Sequence, residues 1–260
     1  PSQYPHYFSR EAHSQPPRTF PDAPGCLSCT GREGNAYGHG IKILAPILTQ
    51  YDIPFVCVDS LYEAYELEKY GYKKDILIMG YVDPLDVPRR KKFIYAVSDL
   101  EYAKALIRTY SRARLHLFFD TGMHREGIVS LDSTYATDIL LRIKPNIEGI
   151  MSHLSTPDDI AVTNIQLQSF QAFQTQLGDF SIAPKYVHIC ASGGLIHADK
   201  YDFSVGNLAR TGLAYFGTII RTPASTALHD EIDSDKNHQE METVGYDGTY
   251  AAKQAMKVGV

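Results

Sequence analysis

Five short stretches concentrate the residues able to do chemistry. Asn35-Ala36-Tyr37-Gly38-His39-Gly40 sets a phenol and an imidazole among glycines. Asp120-Thr121-Gly122-Met123-His124-Arg125-Glu126-Gly127 strings a carboxylate, a hydroxyl and a guanidinium together, and Ile147-Glu148-Gly149-Ile150-Met151 runs into Ser152-His153. Ala191-Ser192-Gly193-Gly194 offers a hydroxyl before two glycines, and Ala209-Arg210-Thr211-Gly212-Leu213-Ala214 an arginine before another. Each has a plain structural reading: a tight loop before a helix, a turn capped by Ser192, a satisfied core histidine at His153, a surface ion pair at Arg125. A carboxylate after an apolar strand could also serve hydrolysis, but that chemistry needs two carboxylates sharing a proton. The chain has one D-T-G, followed by Met123. Cys26 and Cys29, spaced C-x-x-C, invite a zinc or redox reading. A structural zinc needs four ligands, and Cys57 and Cys190 stand alone, so these are read as unrelated thiols with no metal expected.

The elements that must position these residues alternate. Ile53–Val58, Ile76–Met79, Phe93–Val97, Leu115–Phe119, Ile147–Met151, Tyr186–Cys190 and a last run near Leu208–Thr211 read as strands, continuous in apolar character as expected when both faces are buried. Between them, Ser60 and Glu63 form a capping box opening a helix with Leu61, Ala64 and Leu67 on one stripe. Leu100–Tyr110 and Tyr135–Lys144 read as helices. Thr163 and Gln166 make a second capping box before Leu167, Phe170, Phe173 and Leu177. Repeated strand–helix units with parallel-type strands predict an α/β fold, and the strand count favours a (β/α)8 TIM-type barrel over a doubly wound sheet. Its first strand is the one without a legible pattern. Residues 1–32 are rich in Pro, Ser, Arg and His without strand or helix period. Residues 221–242 are a polar, acidic linker, and 243–260, with a turn at Tyr246-Asp247-Gly248 and a strand over Lys253–Val260, read as the start of a truncated β domain.

Composition narrows the classes. At 260 residues, 44% hydrophobic and 21% charged, this is an ordinary globular chain. A net charge of -5 argues against non-specific nucleic-acid binding, and apolar runs of a few residues cannot span a bilayer. Four cysteines make no disulfide framework, so a cytoplasmic home is expected.

Taken in order, the five stretches resemble the signature segments of alanine racemases, fold-type III pyridoxal-phosphate enzymes: K-A-N-A-Y-G-H-G, D-T-G-M-x-R-x-G, E-G-x-x-S-H, the N-S-A cofactor loop and R-P-G-I-A. The coverage, Asn35 to Gly217, outweighs the aspartic-protease reading of the lone D-T-G. The resemblance implies racemisation of L- and D-alanine, pyridoxal 5'-phosphate as cofactor, D-alanine supply for peptidoglycan, and a homodimer that builds its site across subunits. It further implies roles: Ser192 with the amides of Gly212 and Leu213 around the phosphate, Tyr37 beside it, Arg210 facing the pyridine nitrogen, His153 next to Arg210, and Arg125 at the phenolic oxygen. A guanidinium keeps its proton, so the ring nitrogen stays neutral and the electron sink is moderated.

Two departures bear on activity. The family's Schiff-base lysine stands two residues before the Asn of N-A-Y-G-H-G, and here that position is Glu33. A carboxylate forms no imine with an aldehyde. The second base of the family is a tyrosine from the partner's C-terminal domain, expected beyond Val260. The chain as written is therefore expected to be inactive. In addition, Phe118 replaces a lysine that in many members is carbamylated to hold Arg125, leaving Glu126 as the nearest alternative anchor. The match begins abruptly at Asn35. Codons for Thr30–Asn35 permit Leu-Val-Val-Lys-Ala-Asn after a one-base shift, so a broken reading frame accounts for Glu33; a pseudoenzyme with a selected Glu33 is the competing account. A barrel portion spanning 33–220 is expected either way, and one without its first strand would expose edges and aggregate.

Overall fold

In the computed structural model the described residues are 25–28, 35–36, 40–197, 200–212, 236–238, 243–244, 250–251 and 256–258. Eight parallel strands succeed one another: β1 (Gly25–Ser28), β2 (Phe55–Val58), β3 (Asp75–Ile78), β4 (Phe93–Val97), β5 (Arg114–Phe118), β6 (Ile147–Met151), β7 (Tyr186–His188) and β8 (Ala209–Thr211). They form one sheet in the order β7-β6-β5-β4-β3-β2-β1-β8. Backbone bonds close it on itself: Asn207 N and Leu208 N donate to Val187 O at 2.9 and 3.2 Å, and Arg210 N to Cys190 O at 2.9 Å. Among the described residues six α-helices lie between strands: α1 (Ile41–Leu48), α2 (Leu61–Lys69), α3 (Leu100–Thr109), α4 (Thr134–Ile143), α5 (Ile160–Asp179) and α6 (Ser192–Ile196). This is the expected α/β barrel.

Strand parity divides the core in two, because successive side chains point to opposite faces. Val56, Ile76, Ile78, Phe93, Tyr95, Leu115, Leu117, Phe119 and Ile150 pack outward with the helices, and Phe119 stacks on Phe173 of α5 at 4.3 Å. Phe55, Cys57, Leu77, Ile94, Ala96, Phe118, Met151 and Leu208 form a second cluster filling the barrel. At the strand starts, Arg114 bonds Asp75 Oδ2 at 2.6 Å and Glu148 Oε1 at 2.7 Å, joining β3, β5 and β6.

Four sequence expectations need correction. Residues 25–28 form β1 although no pattern specifies a strand there; β1 pairs in parallel with β2 and with β8, through Leu27↔Val56 and Cys26↔Arg210 among others. Two parallel edges offer a complete set of backbone partners, and backbone bonding needs no side-chain periodicity. The barrel therefore does not lack its first strand. The second capping box is not a helix start: α5 begins ahead of it, with Asp159 accepting from Ala161 N at 2.8 Å and Val162 N at 3.1 Å. Thr163 and Gln166 lie inside the helix and are buried. The first box holds in part: Glu63 N donates to Ser60 Oγ at 3.3 Å, but the Glu63 carboxylate accepts from Asp59 N and Asn35 N rather than from Ser60. Finally, a strand β9 (Lys236–His238) stands inside the stretch read as linker.

Beyond the barrel, β9 pairs antiparallel with β12 (Met256–Val258), and β10 (Thr243–Val244) with β11 (Tyr250–Ala251). The Tyr246–Gly248 turn lies outside the described residues, as do Cys29, Glu33, Tyr37 and Leu213. No helix among the described residues is long and apolar enough to cross a membrane.

Candidate functional site at the barrel mouth

The ends of β5, β6, β7 and β8 converge, and the chemistry sits where the strands run out, as in other barrels of this architecture. After β5, the chain turns around Asp120. Its Oδ1 accepts from the amides of Gly122, Met123 and His124 at 3.0, 3.1 and 3.0 Å, and its side chain is buried. Gly127 closes this loop at φ +121, where an added Cβ would lie 2.5 Å from Asp120 N. Arg125 extends from the loop and donates from Nη2 to Glu126 Oε1 at 3.0 Å. Phe118 is packed inside the barrel.

The Asp120 loop is tied to the end of β6. Thr121 Oγ1 and Ser152 Oγ lie 2.8 Å apart, and Ser152 Oγ donates to Phe119 O. Gln166, reaching in from α5, donates to Thr121 Oγ1 at 3.3 Å and to His153 O at 3.1 Å while its Oε1 accepts from Ser155. This buried amide explains why a polar residue stands on the inner face of α5.

Arg210, on β8, is the centre. It is 2% exposed, and both Nη groups are fully engaged. Nη1 donates to His188 Nδ1 at 2.8 Å and His188 O at 2.9 Å; Nη2 donates to Ser152 O at 2.7 Å and His153 Nδ1 at 3.1 Å. All four acceptors are neutral, and no carboxylate pairs with this guanidinium among the described residues. The Nε–H is the donor these bonds leave over. Burial, reinforced by the charges of Arg210 and Arg125, holds His153 well below the usual imidazole range. Arg125 therefore acts electrostatically on the same cluster. His188 is held low by burial, then by Arg210 and His116. Burial pushes the neighbouring Cys190 thiol up to about 12.

After β7, Ser192 opens α6, and its Oγ accepts from Gly212 N at 3.0 Å. The turn is compact because Gly193 and Gly194 lack side chains: a Cβ would meet Pro157 Cγ at 2.8 Å and Cys190 Sγ at 2.7 Å, respectively. Of the Asn35–Gly40 string, Asn35 and Ala36 adopt left-handed φ of 48 and 58. Asn35 Oδ1 accepts from Ile41 N at 2.9 Å, so this side chain caps α1 where Gly40 has none to offer.

Of the residues singled out from sequence, Arg210 and His153 are in direct contact, as are Ser192 and Gly212; Arg125 is coupled to the first pair through charge. Sequence reasoning gave no role to Ser152, His188 or His116, and read Gln166 as a helix cap. Parity was the available signal: His116 and His188 are polar positions within apolar strands, in step with inward-facing Phe118 and Tyr186.

A model of the alanine racemase N-terminal domain matches residues 34–219. An amino-acid racemase of Enterococcus faecalis is 34% identical over 192 residues, covering 71% of this chain and 27% of that protein. The alanine racemase of Streptococcus suis is 32% identical over 234 residues, 84% of this chain and 62% of that one. Among solved structures, an alanine racemase of Clostridium difficile superposes with a TM-score of 0.66 at 19% identity, covering 91% and 65% of the two chains, a likeness of fold. The chain thus spans less than two thirds of the length of each of these relatives.

Proposed function

Because the chain belongs to the alanine racemase N-terminal domain family, we propose that it is the pyridoxal-phosphate-binding barrel of a racemase acting on L- and D-alanine. The observation that carries this reading is Arg210: a buried cation surrounded by neutral acceptors, with one N–H left over, at the mouth of the barrel. A buried charge without a counter-charge is costly, so its presence at the barrel mouth supports a ligand-binding role.

The residues present fit the cofactor. Arg210 would hold the pyridine nitrogen, with its donor-only guanidinium leaving that nitrogen unprotonated. His153, whose Nδ1 accepts from Arg210, stands beside it and stays neutral. Ser192 and the Gly212 amide, already bonded to each other, would hold the phosphate with Leu213, in a turn that only glycines allow to close so tightly. Arg125, oriented by Glu126, would face the phenolic oxygen, and Tyr37 would lie near the phosphate. When bound, pyridoxal phosphate supplies the electron sink that makes a substrate Cα proton removable. Racemisation then needs that proton to leave one face and return on the other, through two bases. By family likeness these are the residue at position 33 and a tyrosine of the partner subunit in a homodimer, with a cytoplasmic setting part of the same proposal.

Glu33 favours a second reading for the chain as it stands: a barrel that holds the cofactor without racemising. The family match begins at residue 34, immediately after it. Titration with pyridoxamine 5'-phosphate, followed by ligand fluorescence, tests the site without requiring a covalent bond. The chain should bind it, and Arg210→Leu should weaken binding about thirtyfold or more, the scale of truncating one partner of a buried charged bond. Coupled assay of D-alanine formation should give no turnover with Glu33 and measurable turnover only with Glu33→Lys in the full-length context. A chain that does not bind the probe, or binds it equally well as Arg210→Leu, overturns the reading.

A further inference from the structure

A guanidinium can only donate, so the bonds of Arg210 fix the tautomers of the imidazoles around it. His188 Nδ1 and His153 Nδ1 are acceptors, and each ring carries its proton on Nε2. His188 Nε2 lies 2.9 Å from His116 Nδ1 and is the donor there, which places the proton of His116 on Nε2 as well. That last N–H is buried, has no hydrogen-bond partner, and faces Gly149. Phe55 packs edge-on against the His116 ring at 5.3 Å, and Tyr186 lies over it at 5.8 Å. Donation thus runs one way, from Arg210 at the mouth through His188 to His116 inside the barrel, and both imidazoles behind Arg210 are neutral.

We propose that His116 is a positioning residue for Arg210. It accepts from His188 Nε2, holds that ring with Nδ1 turned to the guanidinium, and so aims the arginine without neutralising it. A carboxylate at either histidine position would also orient Arg210, but would cancel the charge that the mouth presents to a ligand. The neutral chain avoids this, at the cost of one unpaired N–H at its far end. The inference rests on the cofactor reading only for what Arg210 is aimed at; the order of the imidazoles stands independently.

The test uses the full chain with 15N-labelled histidine and two variants, His116→Asn, whose Oδ1 keeps an acceptor where Nδ1 stood, and His116→Leu, which removes it. The His188 ring nitrogens, read from two-bond 1H–15N correlations, should report a single Nε2–H tautomer in the unmodified chain and in His116→Asn. In His116→Leu the His188 Nε2–H loses its acceptor, so its 1H and 15N shifts should leave the hydrogen-bonded range kept by His116→Asn, and pyridoxamine 5'-phosphate affinity should fall about tenfold, as for loss of a supporting outer partner. His188 protonated on Nδ1 in the unmodified chain overturns the proposal, and so does His116→Asn proving as damaging as His116→Leu, which would leave His116 a packing role only. An unmodified chain with the expected tautomers that fails to bind the probe sinks the cofactor reading instead.

Discussion

A single hydrogen at Gly149 decides whether His116 fits. A Cβ built there would stand 2.6 Å from His116 Nε2 and 2.7 Å from the adjacent ring carbons, so the imidazole lies flat against the glycine backbone. The glycine of E-G-x-x-S-H thus has a packing cause of its own, on the strand that runs out at Ser152 and His153: it makes the cavity for the ring that ends the Arg210 chain. Gly149→Ala should therefore destabilise the barrel by about 1–3 kcal/mol, the usual range for forcing atoms into a packed core. Chemical denaturation measures this. Combining it with His116→Ala should recover part of the loss, since the clash is with that one ring, and a double-mutant cycle with no coupling would falsify the account. At Gly127 the backbone itself is the obstacle, because the φ of +121 disfavours any side chain in addition to the 2.5 Å approach to Asp120 N.

At the scale of elements, β1 pairs with a strand on each side although its sequence carries no strand pattern. Gly-Cys-Leu-Ser has little intrinsic strand preference, yet it pairs on both edges. Leu27→Pro removes a ladder N–H between β2 and β8, which should cost about 1–3 kcal/mol and expose two strand edges to association. Thermal unfolding with light scattering reads both effects; an unchanged midpoint would mean that residues 25–28 do not carry the barrel. This strand also marks the limit of what sequence shows. The strands β2 to β8 were legible because burial on both faces writes apolar runs, and Phe93–Val97 and Ile147–Met151 agree to the residue. β1 was not, since backbone pairing leaves no trace in side-chain pattern. The start of α5 was misplaced because Thr163 and Gln166 mimic a cap, while the cap is Asp159 and Gln166 is a buried linker between β5 and β6 loops. Arg210, His153, Ser192 and Gly212 were legible as motif positions, but their contacts depend on which strand ends meet.

For the whole molecule, the consequence of enclosing neutral imidazoles is a stability that depends on pH in a known direction. Burial, with help from the nearby guanidiniums, depresses His116 to about 3 and holds His153 and His188 well below the ordinary value. The unfolded chain protonates these rings near pH ~6.5. Above that pH neither state binds the protons and the full stability is present. Below it the unfolded state takes up more protons than the folded one, so stability falls as the pH drops toward the depressed folded values. At pH ~5 each ring that stays neutral in the fold should cost about 2 kcal/mol of stability relative to neutral pH. Urea midpoints compared at about pH 7.5 and 5 measure the slope, in a window where most carboxylates remain ionised. His116→Asn removes one of the three titrating rings while keeping the acceptor for His188, so it should flatten the slope by roughly a third. Equal midpoints at the two pH values would mean that the rings take up protons within the fold. A protonated His188 has no acceptor nitrogen to offer Arg210, so the same result would remove the physical basis for holding that arginine as an unneutralised cation at the barrel mouth.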